Sequence, residues 1–201
     1  MFISFEGTEG VGKSTLIATL QATLVAQQYD VILTREPGGT PLAEKIRQLL
    51  LQPDQEKMCA STELLLIYAA RAQHLDQVIL PALNANKIVL CDRFVDASIA
   101  YQCGGRGLDR QHIDLLTENF VSRLPDITFW LDAPVEVGMQ RAQKRAALDR
   151  FEQEKTEFFN RVRQTYQAIA TQSPQRVVCL DATQTPKQIA EIALQYIRQK
   201  I

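Results

Sequence analysis

The chain has 201 residues, of which 46% are hydrophobic and 22% charged, and a net charge of −1. This composition is typical of a globular protein and predicts a single domain over residues 1–201. The near-zero charge argues against a general nucleic-acid or membrane-binding surface, so we expect neither partner. The four cysteines lack C-x-x-C spacing, and no stretch has the features of a signal peptide or membrane span, which favours a cytoplasmic location.

Short β-prone segments alternate with segments of helical periodicity along the chain. The predicted strands are Phe2–Phe5, Val31–Thr34, Ile88–Cys91, Ile127–Leu131 and Val177–Leu180. The predicted helices are Lys13–Gln27, Thr40–Leu51, Thr62–Ala85, His112–Leu124, Pro134–Ala147, Glu154–Thr171 and Thr185–Lys200. This alternation predicts an α/β three-layer sandwich, in which helices cover both faces of a five-stranded parallel sheet. Ligands bind beyond the carboxyl ends of the strands in such sheets.

A glycine-rich loop follows the first predicted strand. Residues 7–14 read Gly-Thr-Glu-Gly-Val-Gly-Lys-Ser, which matches the pattern GxxxxGK[ST] between a strand and a helix. Glycines let backbone N–H groups approach phosphate oxygens, and the following helix N-terminus favours anions. We expect Lys13 to reach the β- and γ-phosphates and Ser14 to bind Mg²⁺. The loop therefore predicts a nucleotide phosphate site, against the alternative of a chance glycine turn.

Asp92 and Arg93 follow the third predicted strand. A carboxylate at this position is placed to hold Mg²⁺ directly or through water, and an arginine can present two parallel donors to a phosphate. The alternative is a structural ion pair at the strand end. The phosphate loop in the same chain favours the functional interpretation.

Two basic stretches each allow a functional and a structural interpretation. Arg141, Lys144, Arg145 and Arg150 surround a predicted helix end, where they form either a solvated helix face or a mobile lid whose arginines close over phosphates. The sequence Gly-Gly-Arg-Gly at residues 104–107 predicts a flexible loop that either contacts phosphate or forms a simple turn.

Three other polar side chains need separate interpretations. His74 and His112 lie far apart in the sequence, without metal-ligand spacing, and are predicted to be helix-surface or packing residues. Glu9 lies inside the phosphate loop, where its charge opposes bound phosphates. We therefore expect the Glu9 side chain either to face a hydroxyl of a second substrate or to lie at an exposed loop tip.

In order along the chain, these motifs resemble those of bacterial thymidylate kinases, and the similarity runs nearly from end to end. The stretches that carry it are residues 5–14, 34–40 (Thr-Arg-Glu-Pro-Gly-Gly-Thr), 68–71, 92–94, 100–102, 104–107, 123–126 and 148–152. Many enzyme families share the phosphate loop, whereas the ordered set is much more specific. The resemblance implies a P-loop nucleoside monophosphate kinase fold with a lid over residues 141–152, usually as a homodimer. It also implies transfer of the γ-phosphoryl group of ATP to dTMP, with Mg²⁺.

The resemblance assigns roles to individual residues. Those implied at the ATP site are Gly7, Thr8, Glu9, Gly10, Val11, Gly12, Lys13, Ser14, Thr15 and Arg141, the last along the adenine. Those implied at the dTMP site are Glu9, Glu36, Pro37, Arg47, Ile67, Arg71, Arg93, Ser98, Tyr101 and Gln102. The implied catalytic residues are Lys13, Arg93 and a lid arginine, with Arg145 the first choice and Arg150 the second; the metal residues are Ser14 and Asp92.

The chain departs from the family at Ile67, where a phenylalanine that stacks on thymine is common. An aliphatic side chain still covers a base but loses aromatic geometry worth roughly 0.5–1.5 kcal/mol. We expect a shift of the helix to let Tyr68 compensate.

Three other functions are alternatives to thymidylate phosphorylation. The nearest is a kinase for another nucleoside monophosphate such as dUMP, UMP or dCMP, which Arg71 and Ser98 weakly disfavour. A GTP-dependent switch protein would carry the guanine-reading pattern Asn-Lys-x-Asp, but Asn86 and Lys87 are followed by Ile-Val. A non-catalytic P-loop nucleotide-binding regulator is disfavoured because the phosphate- and metal-binding residues are intact.

Overall fold

The computed structural model describes residues 1–52, 56–143 and 150–201. The strands are β1 (Phe2–Glu6), β2 (Val31–Arg35), β3 (Ile88–Asp92), β4 (Ile127–Asp132) and β5 (Val177–Asp181). The α-helices are α1 (Lys13–Ala26), α2 (Pro41–Leu51), α3 (Ala60–His74), α4 (Leu80–Asn84), α5 (Val95–Ser98), α6 (Arg110–Phe120), α7 (Val135–Gln143), α8 (Thr156–Gln172) and α9 (Pro186–Arg198). Two wider turns of π-helix, Leu75–Ile79 and Ile99–Gly105, follow α3 and α5.

Within the described ranges, five strands form one parallel sheet in the order β2-β3-β1-β4-β5. This confirms the predicted sheet. Helix α1, which follows β1, packs on one face of the sheet, whereas α5, which follows β3, packs on the other face. A crevice therefore opens between the carboxyl ends of β1 and β3, which is where such folds bind ligands.

Apolar side chains of the strands alternate between the two faces of the sheet, as the two-residue period of a strand requires. On one face, Phe2 and Val89 pack in a cluster with side chains of α3, α6 and α8. On the other face, Ile3 and Leu90 pack in a cluster with side chains of α1 and α9. These two cores make the three layers that the sequence predicts.

The predicted middle helix, Thr62–Ala85, is a continuous helical rod with a π-helical turn inside it. Residues 60–84 run through α3, the turn Leu75–Ile79 and α4. Pro81 lies in the first turn of α4. Proline lacks an N–H group and its ring clashes with the carbonyl four residues earlier, so a wider turn before Pro81 relieves both problems.

The prediction of a flexible loop at residues 104–107 is wrong for Gly104 and Gly105. Gly104 and Gly105 end the π-helix Ile99–Gly105, and with α5 they belong to a helical segment that the sequence analysis missed. A methyl group at Gly104 would clash with the Thr165 side chain, and one at Gly105 would clash with the Phe158 ring. The pair therefore marks the close approach of α8 and not a turn.

Two other predicted helices differ at their ends. Helix α6 ends at Phe120 and not at Leu124, because the backbone turns to the extended conformation at the next residue, Val121, with φ −118° and ψ 92°. The predicted end of the next helix, Ala147, lies outside the described residues. None of the described helices is long and apolar enough to span a bilayer.

Candidate active site

The phosphate loop connects β1 to α1 at the centre of the sheet. The Lys13 side chain is buried, and its Nζ donates hydrogen bonds to the carbonyl oxygens of Gly7 at 3.2 Å and Thr8 at 2.9 Å. Burial, and then the positive charge of Arg93, lower the pKa of Lys13. Bound phosphates would oppose both effects, so the cation is placed where an anion stabilises it.

The tip of the loop packs directly on α7. Gly10 has φ 70°, and a methyl group at this position would clash with the carbonyl oxygen of Gly138 in α7. A methyl group at Gly138 would in turn clash with the carbonyl oxygen of Glu9. Two glycines thus let the loop and the helix touch through their backbones, which couples α7, the helix that leads into the predicted lid, to the phosphate loop.

A large cavity opens above the loop, with an empty volume of about 1520 Å³ including its mouth. The residues predicted for nucleotide phosphate, metal or adenine that line it are Glu9, Gly10, Val11, Gly12, Lys13, Ser14, Thr15, Asp92, Arg93 and Arg141. Gly7 and Thr8, which are also predicted for the ATP site, are not among these lining residues. Their carbonyl oxygens accept the hydrogen bonds that hold Lys13 in place. We call this space the phosphate cavity.

The far wall of the phosphate cavity comes from residues that the sequence analysis missed. Ala182, Gln184 and Pro186 line it just beyond the carboxyl end of β5, and Arg141 donates a hydrogen bond to the Ala182 carbonyl oxygen at 3.3 Å. Their position after a strand was the available signal, since the rule about carboxyl ends applies to β5 as it does to β1 and β3.

Arg93 lies where the loop meets the end of β3. Its backbone has φ 73°, and its guanidinium donates to the Gly7 carbonyl oxygen at 3.0 Å and to Glu9 Oε1 at 2.6 Å. Burial lowers the pKa of Arg93, but the neighbouring Glu9 carboxylate and other groups raise it overall, well above its ordinary value. Arg93 therefore pairs with the loop carboxylate, and among the described residues no ion pair joins it to Asp92.

A buried acid, Glu6, ends β1 directly before the phosphate loop. Its two carboxylate oxygens accept hydrogen bonds from the Phe94 backbone N–H and from the Tyr166 hydroxyl, both at 2.8 Å. Burial, and then the nearby charge of Asp96, raise the pKa of Glu6 to about 8. Glu6 was not predicted as a site residue, although an acid directly after an apolar strand was an available signal.

A second cavity adjoins the first, with an empty volume of about 590 Å³ including its mouth. All the residues that the resemblance implies for dTMP line it: Glu9, Glu36, Pro37, Arg47, Ile67, Arg71, Arg93, Ser98, Tyr101 and Gln102. Leu51, Phe94, Ala97 and Phe151 line it as well and were not predicted. We call it the acceptor cavity.

The two cavities share part of their walls. Glu9, Glu36, Arg47 and Arg93 line both of them. A group that protrudes from either cavity at this junction therefore meets the same charged side chains.

A buried ionic network forms the floor of the acceptor cavity. Arg71, 1% exposed, donates from Nε to Glu36 Oε2 at 2.7 Å and from Nη2 to the Ser98 hydroxyl and the Phe94 carbonyl, each at 3.0 Å. Burial lowers the pKa of Arg71, but the Glu36 carboxylate raises it overall. Within the described part of the chain, Arg71 Nη1 is buried without a hydrogen-bond partner, so it remains a donor for a ligand.

His74 extends this network and is a buried packing residue, which is one of the two roles predicted for it. Its Nδ1 lies 3.1 Å from Glu36 Oε1 and its Nε2 lies 2.6 Å from the Thr34 hydroxyl. His112, by contrast, is exposed on α6.

The expectation that Tyr68 compensates for Ile67 is wrong. The Tyr68 hydroxyl hydrogen-bonds with the Thr117 hydroxyl at 2.7 Å and donates to the Ile113 carbonyl oxygen at 3.3 Å. Both partners belong to α6, so these bonds hold Tyr68 away from the acceptor cavity, whereas Ile67 lines it.

The basic stretches have different partners. Arg150 pairs with Glu63 at 2.7 Å and donates from Nε to the Leu50 carbonyl oxygen at 2.7 Å. Arg106 pairs with Glu63 and Glu154, so its partners in the described chain are carboxylates. Arg145, the first choice for the lid arginine, and its neighbour Lys144 lie outside the described residues.

Magnesium binding can be tested against the donors present. Asp92 Oδ1 is buried and, in the described part of the chain, accepts no hydrogen bond. Asp92 and Ser14 line the phosphate cavity together. An unpaired carboxylate oxygen and a hydroxyl in the lining of the same phosphate site fit a hard cation with oxygen ligands.

Sheet order, phosphate loop and joined cavities define a P-loop nucleoside monophosphate kinase fold. The family model "Thymidylate kinase" matches residues 5–192. Thymidylate kinase of Acinetobacter baumannii (strain SDF) is 63% identical over 98% of this chain and 100% of its own, and that of Pseudomonas putida (strain W619) is 58% identical over 92% and 89%. A crystal structure of thymidylate kinase from Ehrlichia chaffeensis superposes with a TM-score of 0.80 at 33% identity, covering 98% of each chain. The chain belongs to the thymidylate kinase family.

Proposed function

We propose that this chain transfers the γ-phosphoryl group of ATP to dTMP and so makes dTDP and ADP for nucleotide biosynthesis. Family membership supports the two substrates. The observation that carries the reaction type is the junction of the two cavities, where Arg93 and Arg47 line both. Two nucleotides bound with their phosphates at this junction meet end to end, as direct phosphoryl transfer requires.

Positioning and charge neutralisation are the main tasks of the protein in this reaction. Lys13 and the loop N–H groups hold the phosphates of ATP, with Arg141 along the adenine. Arg93 bridges the donor and acceptor phosphates, and Arg47 holds the acceptor phosphate. Because the dTMP phosphate is already ionised at neutral pH, no strong general base is needed.

Mg²⁺ belongs to this proposal, with Ser14 and Asp92 as the residues that hold it. The unpaired Asp92 Oδ1 supports this role. When bound, the ion neutralises charge that develops on the phosphate oxygens.

Glu9 is proposed to accept a hydrogen bond from the sugar hydroxyl of dTMP. The Tyr101 hydroxyl donates to Glu9 Oε1 at 3.0 Å, and Arg93 binds the same oxygen at 2.6 Å. These bonds hold the carboxylate at the junction, which supports a role in positioning the acceptor.

The base end of dTMP is proposed to lie over the Arg71 network. Arg71 and Ser98 read the edge of the thymine, Gln102 lies beside the nucleoside, Ile67 covers the base, and Glu36 and Pro37 shape the pocket. Arg71 Nη1 and Gln102 Oε1, both buried, lack hydrogen-bond partners in the described chain. Such atoms are costly unless a ligand satisfies them, so they support this orientation.

The lid over residues 141–152, within one domain of residues 1–201, is proposed to exclude water when both nucleotides are bound. Arg145 is the proposed catalytic arginine and Arg150 the second choice. The ion pair of Arg150 with Glu63 favours a structural role of Arg150 in this conformation. A homodimer in the cytoplasm, without nucleic-acid or membrane partners, completes the proposal and rests on the resemblance and the sequence composition.

The test is an acceptor panel with ATP and Mg²⁺, followed by ADP release. We expect turnover with dTMP well above that with dUMP, UMP or dCMP. Lys13→Ala and Arg93→Ala should each reduce kcat by at least about a hundredfold, as the loss of a charge-stabilising donor does. Arg110→Ala is the matched control, because Arg110 pairs on the surface with Asp114 and lines neither cavity. Wild-type turnover in either site variant would refute the assigned roles, and nucleotide binding without turnover of any acceptor would favour the regulator.

A further inference from the structure

Residues 150–154, which we call the covering segment, lie across both cavities. Phe151 lines the acceptor cavity, whereas the next residue, Glu152, lines the phosphate cavity. The segment precedes α8 and belongs neither to the phosphate loop nor to the floor of the acceptor cavity. Its position gives Phe151 access to whatever occupies that cavity.

Four charged residues, which we call the clamp, fix this segment. Glu63, 1% exposed, pairs with Arg150 at 2.7 Å and with Arg106 at 3.1 Å, and Arg106 also pairs with Glu154. Because a buried charge is very unfavourable when unpaired, such a cluster holds its members in a defined geometry. The clamp therefore anchors the segment on both sides of Phe151.

Within the described part of the chain, the neighbours of the Phe151 ring include an edge-on aromatic side chain and two arginines. Tyr101 lies 6.1 Å away at an interplanar angle of 76°, and the guanidinium carbons of Arg150 and Arg106 lie 4.4 Å and 5.6 Å from the ring centroid. Both arginines are clamp residues. The ring is thus oriented as well as anchored.

Phe151 differs from the other aromatic residues that line the acceptor cavity. Phe94 is fully buried, with Phe2 and Arg71 against its ring, and Tyr101 is 5% exposed, with Arg93 over its ring. Phe151 is only partly buried. Among the described aromatic residues that line the acceptor cavity, Phe151 is the one that is not buried.

The location of Phe151 indicates which part of the ligand it meets. It lines the part of the acceptor cavity that the phosphate cavity does not share. Glu63, which anchors Arg150, also accepts a hydrogen bond from Gln102 at 2.9 Å. The clamp is therefore bonded directly to a residue of the proposed nucleoside end, away from the phosphates.

We propose that Phe151 is a specificity-determining residue that contacts the base of the bound acceptor nucleotide, with the clamp as its positioning device. The inference rests on the proposed function, because it takes the acceptor to be a nucleoside monophosphate. It supplies an aromatic contact to a cavity in which Ile67 is aliphatic. The covering segment thereby places Phe151 at the acceptor cavity and Glu152 at the phosphate cavity.

The test separates the base from the sugar phosphate. For Phe151→Leu, Phe151→Tyr and the wild type, the Kd of dTMP is measured by calorimetry and the Ki of 2-deoxyribose 5-phosphate by competition. We expect Phe151→Leu to weaken dTMP about threefold to tenfold, as loss of an aromatic contact does, with the Ki of the base-free ligand unchanged. Phe151→Tyr should retain the wild-type Kd. Phe120→Leu is the matched control, since Phe120 is 56% exposed on α6 and should affect neither ligand.

The clamp is tested by introducing Glu154→Gln into the wild type and into Phe151→Leu. It should weaken dTMP binding when Phe151 is present and have no further effect in Phe151→Leu, since it acts through the ring. An unchanged Kd in Phe151→Leu, an equal loss for both ligands, or a Glu154→Gln effect that persists without Phe151 would each overturn the proposal. Wild-type turnover of dTMP alongside any of these results would leave the proposed function intact, whereas wild-type failure to phosphorylate any nucleoside monophosphate would remove the function itself.

Discussion

Replacement of Glu6 by glutamine should remove a pH-dependent loss of stability from this protein. Glu6 is fully buried at the end of β1, and burial together with the charge of Asp96 raises its pKa from 4.5 to about 8. Glutamine has the same shape and cannot ionise. Its amide can still accept from the Phe94 N–H and donate to the Tyr166 oxygen, so the substitution changes charge and leaves packing in place.

The size of the effect follows from linkage between protonation and folding. Between pH 4.5 and about 8 the folded chain keeps the Glu6 proton that the unfolded chain has lost, so stability falls as pH rises through this window. Each pKa unit corresponds to about 1.4 kcal/mol, so complete ionisation costs on the order of 5 kcal/mol. Above pH 8 both states are ionised and the loss is complete.

The assay is urea unfolding of the wild type and Glu6→Gln at several pH values from 5 to 8.5. The free energy of unfolding of the variant, relative to wild type, should rise by several kcal/mol across this range. Glu118→Gln is the control, because Glu118 is exposed on α6 and should not change the profile. A constant difference between Glu6→Gln and wild type at all pH values would refute the reasoning, since it would mean that Glu6 ionises equally in both states.

Two further substitutions probe the same region. Gly138→Ala places a methyl group against the Glu9 carbonyl oxygen and should lower kcat/KM for ATP roughly tenfold to a hundredfold, because small displacements in a site are costly; steady-state kinetics identical to wild type would contradict this backbone contact. Asp96→Asn removes the charge that helps to raise the Glu6 pKa and weakens the ion pair with Arg176. It should therefore flatten the pH profile of unfolding and cost roughly 2–3 kcal/mol at neutral pH, and a steeper profile would argue against the assigned coupling.

The parts of the site that the sequence predicted are those fixed by local pattern. The glycine spacing before Lys13 and the strand before Asp92 are short-range features, and the fold rule about strand ends then brings them together. The alternation of strands and helices fixed the three layers for the same reason. Such features need no knowledge of which helix faces which.

The parts that the sequence did not predict depend on contacts between distant segments. Glu63 reads as an ordinary acid in the first turn of a helix, and only the fold brings Arg106 and Arg150 to it. The pair Gly104 and Gly105 has the composition of a turn, but its role is set by α8, more than fifty residues later. Periodicity and turn chemistry carry no information about such partners.

At the junction of the cavities, the sheet topology brings Arg93 close to the phosphate loop. β1 and β3 are neighbours with Phe5 opposite Asp92, so the next residue of each segment starts from the same edge of the sheet. The left-handed backbone at Arg93, which costs about 1–2 kcal/mol in a non-glycine residue, turns its guanidinium onto the Gly7 carbonyl oxygen.

Backbone and side-chain bonds hold this conformation from both sides. The Arg93 N–H donates to the Phe5 carbonyl oxygen at 3.0 Å, and the Phe94 N–H donates to Glu6 at 2.8 Å. Both acceptors belong to β1, the strand that leads into the phosphate loop. The same strand therefore positions the loop that holds the donor phosphates and the arginine proposed to join donor and acceptor, so a shift of one carries the other with it.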